Sequence, residues 1–378
     1  MTNYEKTFKE IKKLVEDNAN IFNLPNNYKN SNGYFPGFLK ELLDNYEKFF
    51  KDKLNAIINE KIPFLDNQKD VILNKIKKLN KIILDTLDFY YAGKPFKANQ
   101  IFTQGLEEAF LKDIQYETEI PKGKNFYRAR PDNGKFFESK DLFHIDFKLR
   151  TLVSTNRYSI PGFPSLYLGD SSYVCWEEFG KPKFRNLWFS RLQNKENIKI
   201  IEILLVDDFL QKIEQEIDKG FKFTYILRYL VYFPLTLAST IKVKNSEDNF
   251  KPEYIIPQML LEYVIGNPEI DGIKFPSTKV NYSSLTKIDS YNYVFPVKTN
   301  KKEGLCDRLK SLFELTHPTS LEMEELLNNP AHAPTYLYGG QLEPEKKIEI
   351  TGEKELYYYN TSFGKIEYIL GNKKLKVL

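Results

Sequence analysis

Arginine is scarce in this chain. Of 55 basic residues only eight are Arg, at 128, 130, 150, 157, 185, 191, 228 and 308, and six of these eight fall between 128 and 191. Arg carries a planar, permanently charged fork that grips phosphate oxygens in pairs, which the point charge of Lys does not reproduce. A Lys-biased chain that keeps Arg in one stretch either needs that fork there or uses it for structural pairing. Composition alone does not separate the two.

The same stretch carries other groups with chemical potential. NFYRAR (125–130) is followed by NRYSIPGFPSLYLGDSSYVCWEEFG (156–180): an Arg, a Gly/Pro turn, a short strand bearing Tyr167, and then a helix start at Asp170 to Ser172 with Cys175, Glu177 and Glu178 beyond it. Adjacent residues on a helix project about 100° apart, so one of the two Glu side chains is expected inward and the other solvated. A lone helical Glu is ordinarily a surface residue. Here Tyr173, Val174, Cys175, Trp176 and Phe179 surround the pair and favour an inward-facing one. A carboxylate beside an aromatic face suits a reaction that builds positive charge on a sugar ring, while Arg forks hold a diphosphate. This chemistry fits a nucleotide without naming one. Arg130 reads as a structural partner, Trp176 and Trp188 as core, and Cys175 as a small core residue rather than a nucleophile.

Several other chemistries find no footing. The sequence has no GxGxxG, no GxxxxGK[ST], no HExxH and no CxxC, and only His144, His317 and His332 could serve a His-based site. Cys175 and Cys306 are too few for a disulfide framework or a four-ligand zinc site. A net charge of +4 on 378 residues is far below the footprint of a dedicated nucleic-acid binder. The opening residues are charged from position 5 and lack a secretory apolar region. The most apolar run, Tyr225 to Thr240, is broken by Arg228 and Pro234 and reads as a buried helix. A cytoplasmic protein with no membrane and no nucleic-acid partner is expected.

The elements that must position these residues divide the chain in two. Leu39, Leu42, Tyr46, Phe49 and Ile57, and then Ile72, Ile76, Leu79, Ile83, Leu87 and Tyr90, recur at helical steps, and Gly93 and Pro95 end the second series. Residues 1–118 are therefore expected to form an α-helical domain. Beyond it, SLYLG (165–169), NIKIIEILLV (197–206), the run 253–265 and YNYVFPV (291–297) read as short strands, the third turning helical toward its end. Helical signals return at 304–329, and KKIEI, ELYYYN and KIEYIL read as strands in the tail. Residues 119–378 are expected to form an α+β domain.

The runs FYRAR, RYSIPGFPSLYLGDSSYVCWEE, DGIKFPSTK (271–279) and YNYVFP (291–296) together resemble the RES-domain family, named for its Arg, Glu and Ser. In that family an aromatic-Arg start precedes a second Arg, a YLA- or YLS-like strand, an A-x-x-E helix start, a later Y-x-S and an N-x-x-x-F/P strand. Arg128 matches the first arginine, Arg157 the second and Tyr167 the strand tyrosine. Glu178, eleven residues beyond Tyr167, matches the glutamate in preference to Glu177, with Cys175 where the family often has Ala, and Ser277 matches the serine.

The resemblance covers roughly residues 124–300 and implies an ADP-ribosyltransferase-like mixed β core behind the helical N-terminal domain. It also implies an enzyme that consumes NAD by hydrolysis or phosphorolysis of the nicotinamide–ribose bond, as toxins of bacterial toxin–antitoxin pairs do. On that reading Arg128 and Arg157 hold pyrophosphate or ribose, and Tyr167 stacks on or orients the nicotinamide. Glu178 stabilises the ribosyl cation, and Ser277 hydrogen-bonds ribose or nicotinamide. NAD is then a substrate rather than a cofactor, and no metal is implied. An inhibitory antitoxin protein is the expected partner. The N-terminal helices are open to roles as sensor, restraint or homo-oligomerisation element. Two further readings stay open: ADP-ribosyl transfer to a macromolecule, and a non-catalytic nucleotide-sensing or interaction module.

Overall fold

The computed structural model describes residues 3–28, 33–61, 70–108, 117–218, 221–327, 343–352 and 354–378. His332 and the start of the tail at Tyr336 lie outside them. The chain is α+β and splits into two compact units: one of Met1–Glu117 with Glu202–Gly266, the other of Thr118–Ile201 with Asn267–Leu378. The second unit opens beside the expected boundary, but residues 202–266 correct the expectation of one continuous domain from 119 onward, because they group with the N-terminal helices.

The reason lies in the helix Lys222–Ser239, in which every residue from Tyr229 to Ser239 is buried. A helix that is apolar all round must be enclosed by other helices. Here it packs against the helices Asn3–Asp17, Phe35–Phe49, Val71–Tyr91, Val206–Glu216 and Ile255–Gly266, and Phe233 joins Phe22 and Tyr46 in an aromatic core. The run 253–265 is helical over Ile255–Gly266 rather than β-like. Its apolar residues are buried on nearly every side, which erases the 3.6-residue signal. Five residues of π-helix, Phe50–Leu54, separate the Phe35–Phe49 helix from Asn55–Lys61. The wider turn shifts the buried face by one position. Phe50, Leu54 and Ile58 are fully buried, whereas Ile57, the expected core residue, is only half-buried. The second helical series matches Val71–Tyr91, which stops at Gly93 (φ 71°) before Pro95 starts the next helix. Among the described residues no helix is long and apolar enough to cross a membrane.

The second unit holds the strands β1 (Glu117–Ile120), β2 (Asn125–Pro131), β3 (Ser165–Gly169), β4 (Leu187–Asn194), β5 (Ile198–Glu202), β6 (Gly272–Pro276), β7 (Leu285–Thr286), β8 (Tyr291–Pro296), β9 (Phe313–Thr316), β10 (Lys347–Glu349), β11 (Glu355–Tyr357) and β12 (Leu375–Lys376). Nine of them form one sheet in the order β1-β5-β6-β8-β3-β2-β4-β9-β12, and β11-β10-β7 form a second. Phe126 of β2 sits edge-on to Tyr293, Phe295 and Phe313, which gives one face of the large sheet its core. KIEYIL, expected as a strand, lies in the helix Ser362–Gly371. Ile366 and Leu370, four residues apart, are its buried face, and Thr361 caps it through the Gly364 N–H.

His144 is a structural member of this unit. Its Nε2 accepts the Cys306 N–H at 2.8 Å, which leaves the proton on Nδ1, 2.8 Å from the Ile145 carbonyl. Burial pushes its pKa down to about 4. With the folded value below the ordinary one near 6.5, the unfolded chain takes up the proton first, so stability falls as pH drops from 6.5 toward 4. Wild type is expected to lose roughly 3 kcal/mol more than His144→Gln between pH 7 and pH 4 in denaturant titrations. Parallel losses in the two proteins would contradict this.

Candidate active site

The short helix Ser172–Glu178 follows β3 directly, with Ser171 as its N-cap accepting the Val174 N–H. The helix closes onto the strand because residue 169 has no side chain. A Cβ on Gly169 would stand 3.1 Å from Cys175 Sγ and 3.2 Å from the Ser171 carbonyl. Of the two glutamates on this helix Glu177 is the inward one and Glu178 the more solvated, its side chain 35% exposed. Glu177 is 2% exposed and accepts from the Tyr173 hydroxyl at 2.7 Å, with Lys181 at 3.1 Å. Glu178, at the C-terminal end, is half-buried and turns toward β6 and β8.

Glu178 Oε1 accepts two hydrogen bonds, from Ser277 Oγ at 2.7 Å and from Asn292 Nδ2 at 2.6 Å. Ser277 follows the end of β6 and is 1% exposed; Asn292 lies on β8 beside Gly169 of β3. Ser277 Oγ in turn accepts the Lys279 N–H at 3.2 Å. Lys279 Nζ donates to the Glu178 main-chain carbonyl and lies 3.5 Å from Oε2. One carboxylate oxygen is thus fixed by two neutral donors, and the other faces an exposed cation.

Arg128 and Tyr167 meet where the sheet splits. β2 and β3 pair at Tyr127 and Gly169 alone. The Asp170 N–H bonds to the Tyr291 carbonyl, which fixes the alternation of β3 so that Tyr167 presents its backbone toward β2. Where β2 has moved away, Arg128 Nη1 donates to the Tyr167 carbonyl at 2.7 Å in place of a strand partner. Desolvation pulls the Arg128 pKa down to about 10, which leaves it charged at neutral pH. The Tyr167 hydroxyl donates to the Tyr158 carbonyl, and the next residue back, Arg157, reaches Thr278 Oγ1 at 3.3 Å. Thr278 adjoins Ser277. Hydrogen bonds thus tie Arg128 to Tyr167, Tyr167 to Tyr158, Arg157 to Thr278 and Ser277 to Glu178, and these pairs are joined to one another only where Arg157 precedes Tyr158 and Ser277 precedes Thr278 in the chain.

The remaining arginines of the cluster are structural. Arg130 donates to the Asp141 carbonyl and covers the Phe137 ring, Arg150 binds Asn300, and Arg185 forms a two-pronged pair with Glu325. Arg191 is buried and bonds Asn125 and the carbonyls of Leu370, Gly371 and Lys373. The Cys175 thiol is pushed up to about 12 by burial, which suits a core residue. Trp176 donates to the Pro182 carbonyl, and Trp188 packs in the core with Phe137. Among the described residues no group of three or more His, Cys, Asp or Glu is placed to hold a metal ion.

Asn292 and Lys279 escaped the sequence reading as site residues, although both lie inside the quoted runs YNYVFP and DGIKFPSTK. Their part depends on β6 and β8 being neighbours in register, with Phe275 opposite Asn292. Local pattern does not carry that pairing.

The chain is 35% identical over 301 residues to a protein of Bacillus subtilis (strain 168) named "Putative toxin YopC". The match spans 74% of this chain and 66% of that protein, so this chain covers just under two thirds of its relative's length. No protein-family model and no solved structure matches the chain.

Proposed function

We propose that this protein is an NAD-consuming enzyme that cleaves the nicotinamide–ribose bond, by hydrolysis or phosphorolysis, and acts as a toxin or defence effector. The observation that carries the reading is the Glu178 carboxylate, fixed on one oxygen by Ser277 and Asn292, with Arg157 bonded to Thr278, the chain neighbour of Ser277. The toxin role is supported by the name of the 35% identical relative.

The chemistry follows from that arrangement. As the C1′–nitrogen bond breaks, its electron pair leaves with nicotinamide, which becomes neutral, and the ribose carbon takes on positive charge. A carboxylate already held in place stabilises that charge without reorganising, which is worth more than the same charge in water. Water or phosphate then adds to C1′, and the addition of water releases one proton to solvent. The arginines hold the diphosphate end, and no redox step or metal is required. Ser277 serves best as the donor that aims Glu178, since its hydroxyl hydrogen is directed at Oε1.

Incubation of the full chain with NAD, followed by chromatography of free nicotinamide with and without inorganic phosphate, tests the reading. Nicotinamide release is expected, with ADP-ribose or its 1-phosphate as the second product according to the acceptor. NAD recovered intact after prolonged incubation would overturn it. Label transferred from NAD to a macromolecule would replace hydrolysis by ADP-ribosyl transfer.

A further inference from the structure

We propose that Glu367, in the helix Ser362–Gly371, is a positioning residue for Glu178 that acts through the far end of the Glu178 helix. This rests on the NAD-cleaving reading above. The helix Ser172–Glu178 has seven residues, fewer than two turns, and a helix that short does not persist on its own. Its direction is set by whatever satisfies the groups at its ends. At the N-terminal end Val174 is served by Ser171, and the Ser172 N–H is served by Glu367 Oε1 at 2.6 Å, from 195 residues away. The Ser172 hydroxyl lies 2.8 Å from the same oxygen, and the Tyr358 hydroxyl donates to it at 2.7 Å. A carboxyl oxygen at a helix N-terminus also complements the helix dipole.

Glu367 can act as an anchor because its own helix is fixed to the sheet. Ile366 and Leu370 are buried in a cluster with Tyr127, Ala129 and Phe189 of β2 and β4. Arg191 of β4 holds the Leu370 and Gly371 carbonyls at 3.0 and 3.3 Å. The helix start comes close to the preceding segment, since a Cβ on Gly364 would stand 2.5 Å from the Tyr358 carbonyl. Glu367 thus links the strand that carries Arg128 to the helix that carries Glu178. Burial pushes its carboxyl above the ordinary carboxylate range, and either protonation state retains an acceptor oxygen for the Ser172 amide. At 1.5 Å per residue, Glu178 lies about 9 Å along the axis from this anchor, so a tilt at Ser172 displaces the carboxylate.

The test compares Glu367→Leu, Glu367→Asp and Glu367→Gln in the full chain, with kcat and KM for NAD and amide exchange over residues 172–178. Misplacing a catalytic group by about 1 Å costs on the order of 100-fold, so Glu367→Leu is expected to lose about that in kcat with KM nearly unchanged. Glu367→Asp, whose oxygen is drawn back by one methylene, is expected to fall between it and wild type. Glu367→Gln, which keeps an acceptor at full reach, is expected near wild type. Exchange should quicken at 172–178 in the Leu and Asp variants and stay slow in the Gln variant. The proposal is overturned if Glu367→Asp matches wild type in kcat and exchange, if Glu367→Gln is as impaired as Glu367→Leu, or if KM rises in proportion as kcat falls. If Glu367→Leu does not fold, the Asp and Gln variants decide alone. Should wild type leave NAD intact, the functional reading fails, and the exchange rates alone decide the anchoring role.

Discussion

Replacing Glu178 by Gln is expected to lower kcat for nicotinamide release by about 10²–10³-fold while thermal unfolding shifts by no more than a few degrees. The substitution keeps the aim of the side chain but not its charge. The Gln carbonyl oxygen can take the place of Oε1 and still accept from Ser277 and Asn292, so the side chain remains aimed. What it loses is the negative charge that meets the positive charge developing on ribose. Stability changes little, because the Glu178 side chain is 35% exposed and its Lys279 partner 51% exposed, and an ion pair that open to water contributes at most about 1 kcal/mol. Asn292→Ala, which leaves the charge but removes one of its two fixed donors, is expected to cost less, about tenfold. Steady-state release assays and thermal unfolding separate these outcomes. A Glu178→Gln protein that retains more than a tenth of wild-type kcat would remove Glu178 from the chemistry.

The sequence made the elements of this site more legible than their assembly. SLYLG, YNYVFP and the helix start at Asp170 to Ser172 are local signals: alternation or a capping group within a few residues. They appear as β3, β8 and the N-cap of the Glu178 helix. What stayed hidden depends on distant parts of the chain. The association of 202–266 with the N-terminal helices follows from burial on all sides of Lys222–Ser239, which flattens the periodicity that would reveal it. The π-helical segment Phe50–Leu54 has no local signature and moved the core position from Ile57 to Ile58. Glu367 lies in KIEYIL, which reads in sequence as a strand, and only the fold makes that run a helix and brings it to Ser172. The Arg cluster illustrates both sides: its density drew attention to this stretch, but only the fold shows that Arg130, Arg150, Arg185 and Arg191 are tied to structural partners.

Arg157→Lys is expected to raise KM for NAD by about 10- to 100-fold with little change in unfolding temperature, whereas Arg191→Lys is expected to destabilise the protein. Arg191 is 7% exposed, and its Nε, Nη1 and Nη2 all bond to Asn125 or to main-chain carbonyls. Lys has one terminal nitrogen and cannot span those acceptors, so buried carbonyls would lose partners at about 1–3 kcal/mol each. Arg157 is half-buried in a turn, and one of its bonds runs from Nη2 to a neutral hydroxyl, Thr278, at 3.3 Å. That bond is replaceable by water. A two-pronged bond to a phosphate is not, and losing the charge-assisted fork costs about 1.5–3 kcal/mol, which sets the expected rise in KM. Because Lys keeps the positive charge, electrostatic attraction of the dinucleotide persists and the loss reports the fork itself. If Arg157→Lys instead lowers the unfolding temperature by several degrees and leaves KM unchanged, Arg157 belongs with Arg191 as scaffold, and the diphosphate must be held by Arg128 and Lys279.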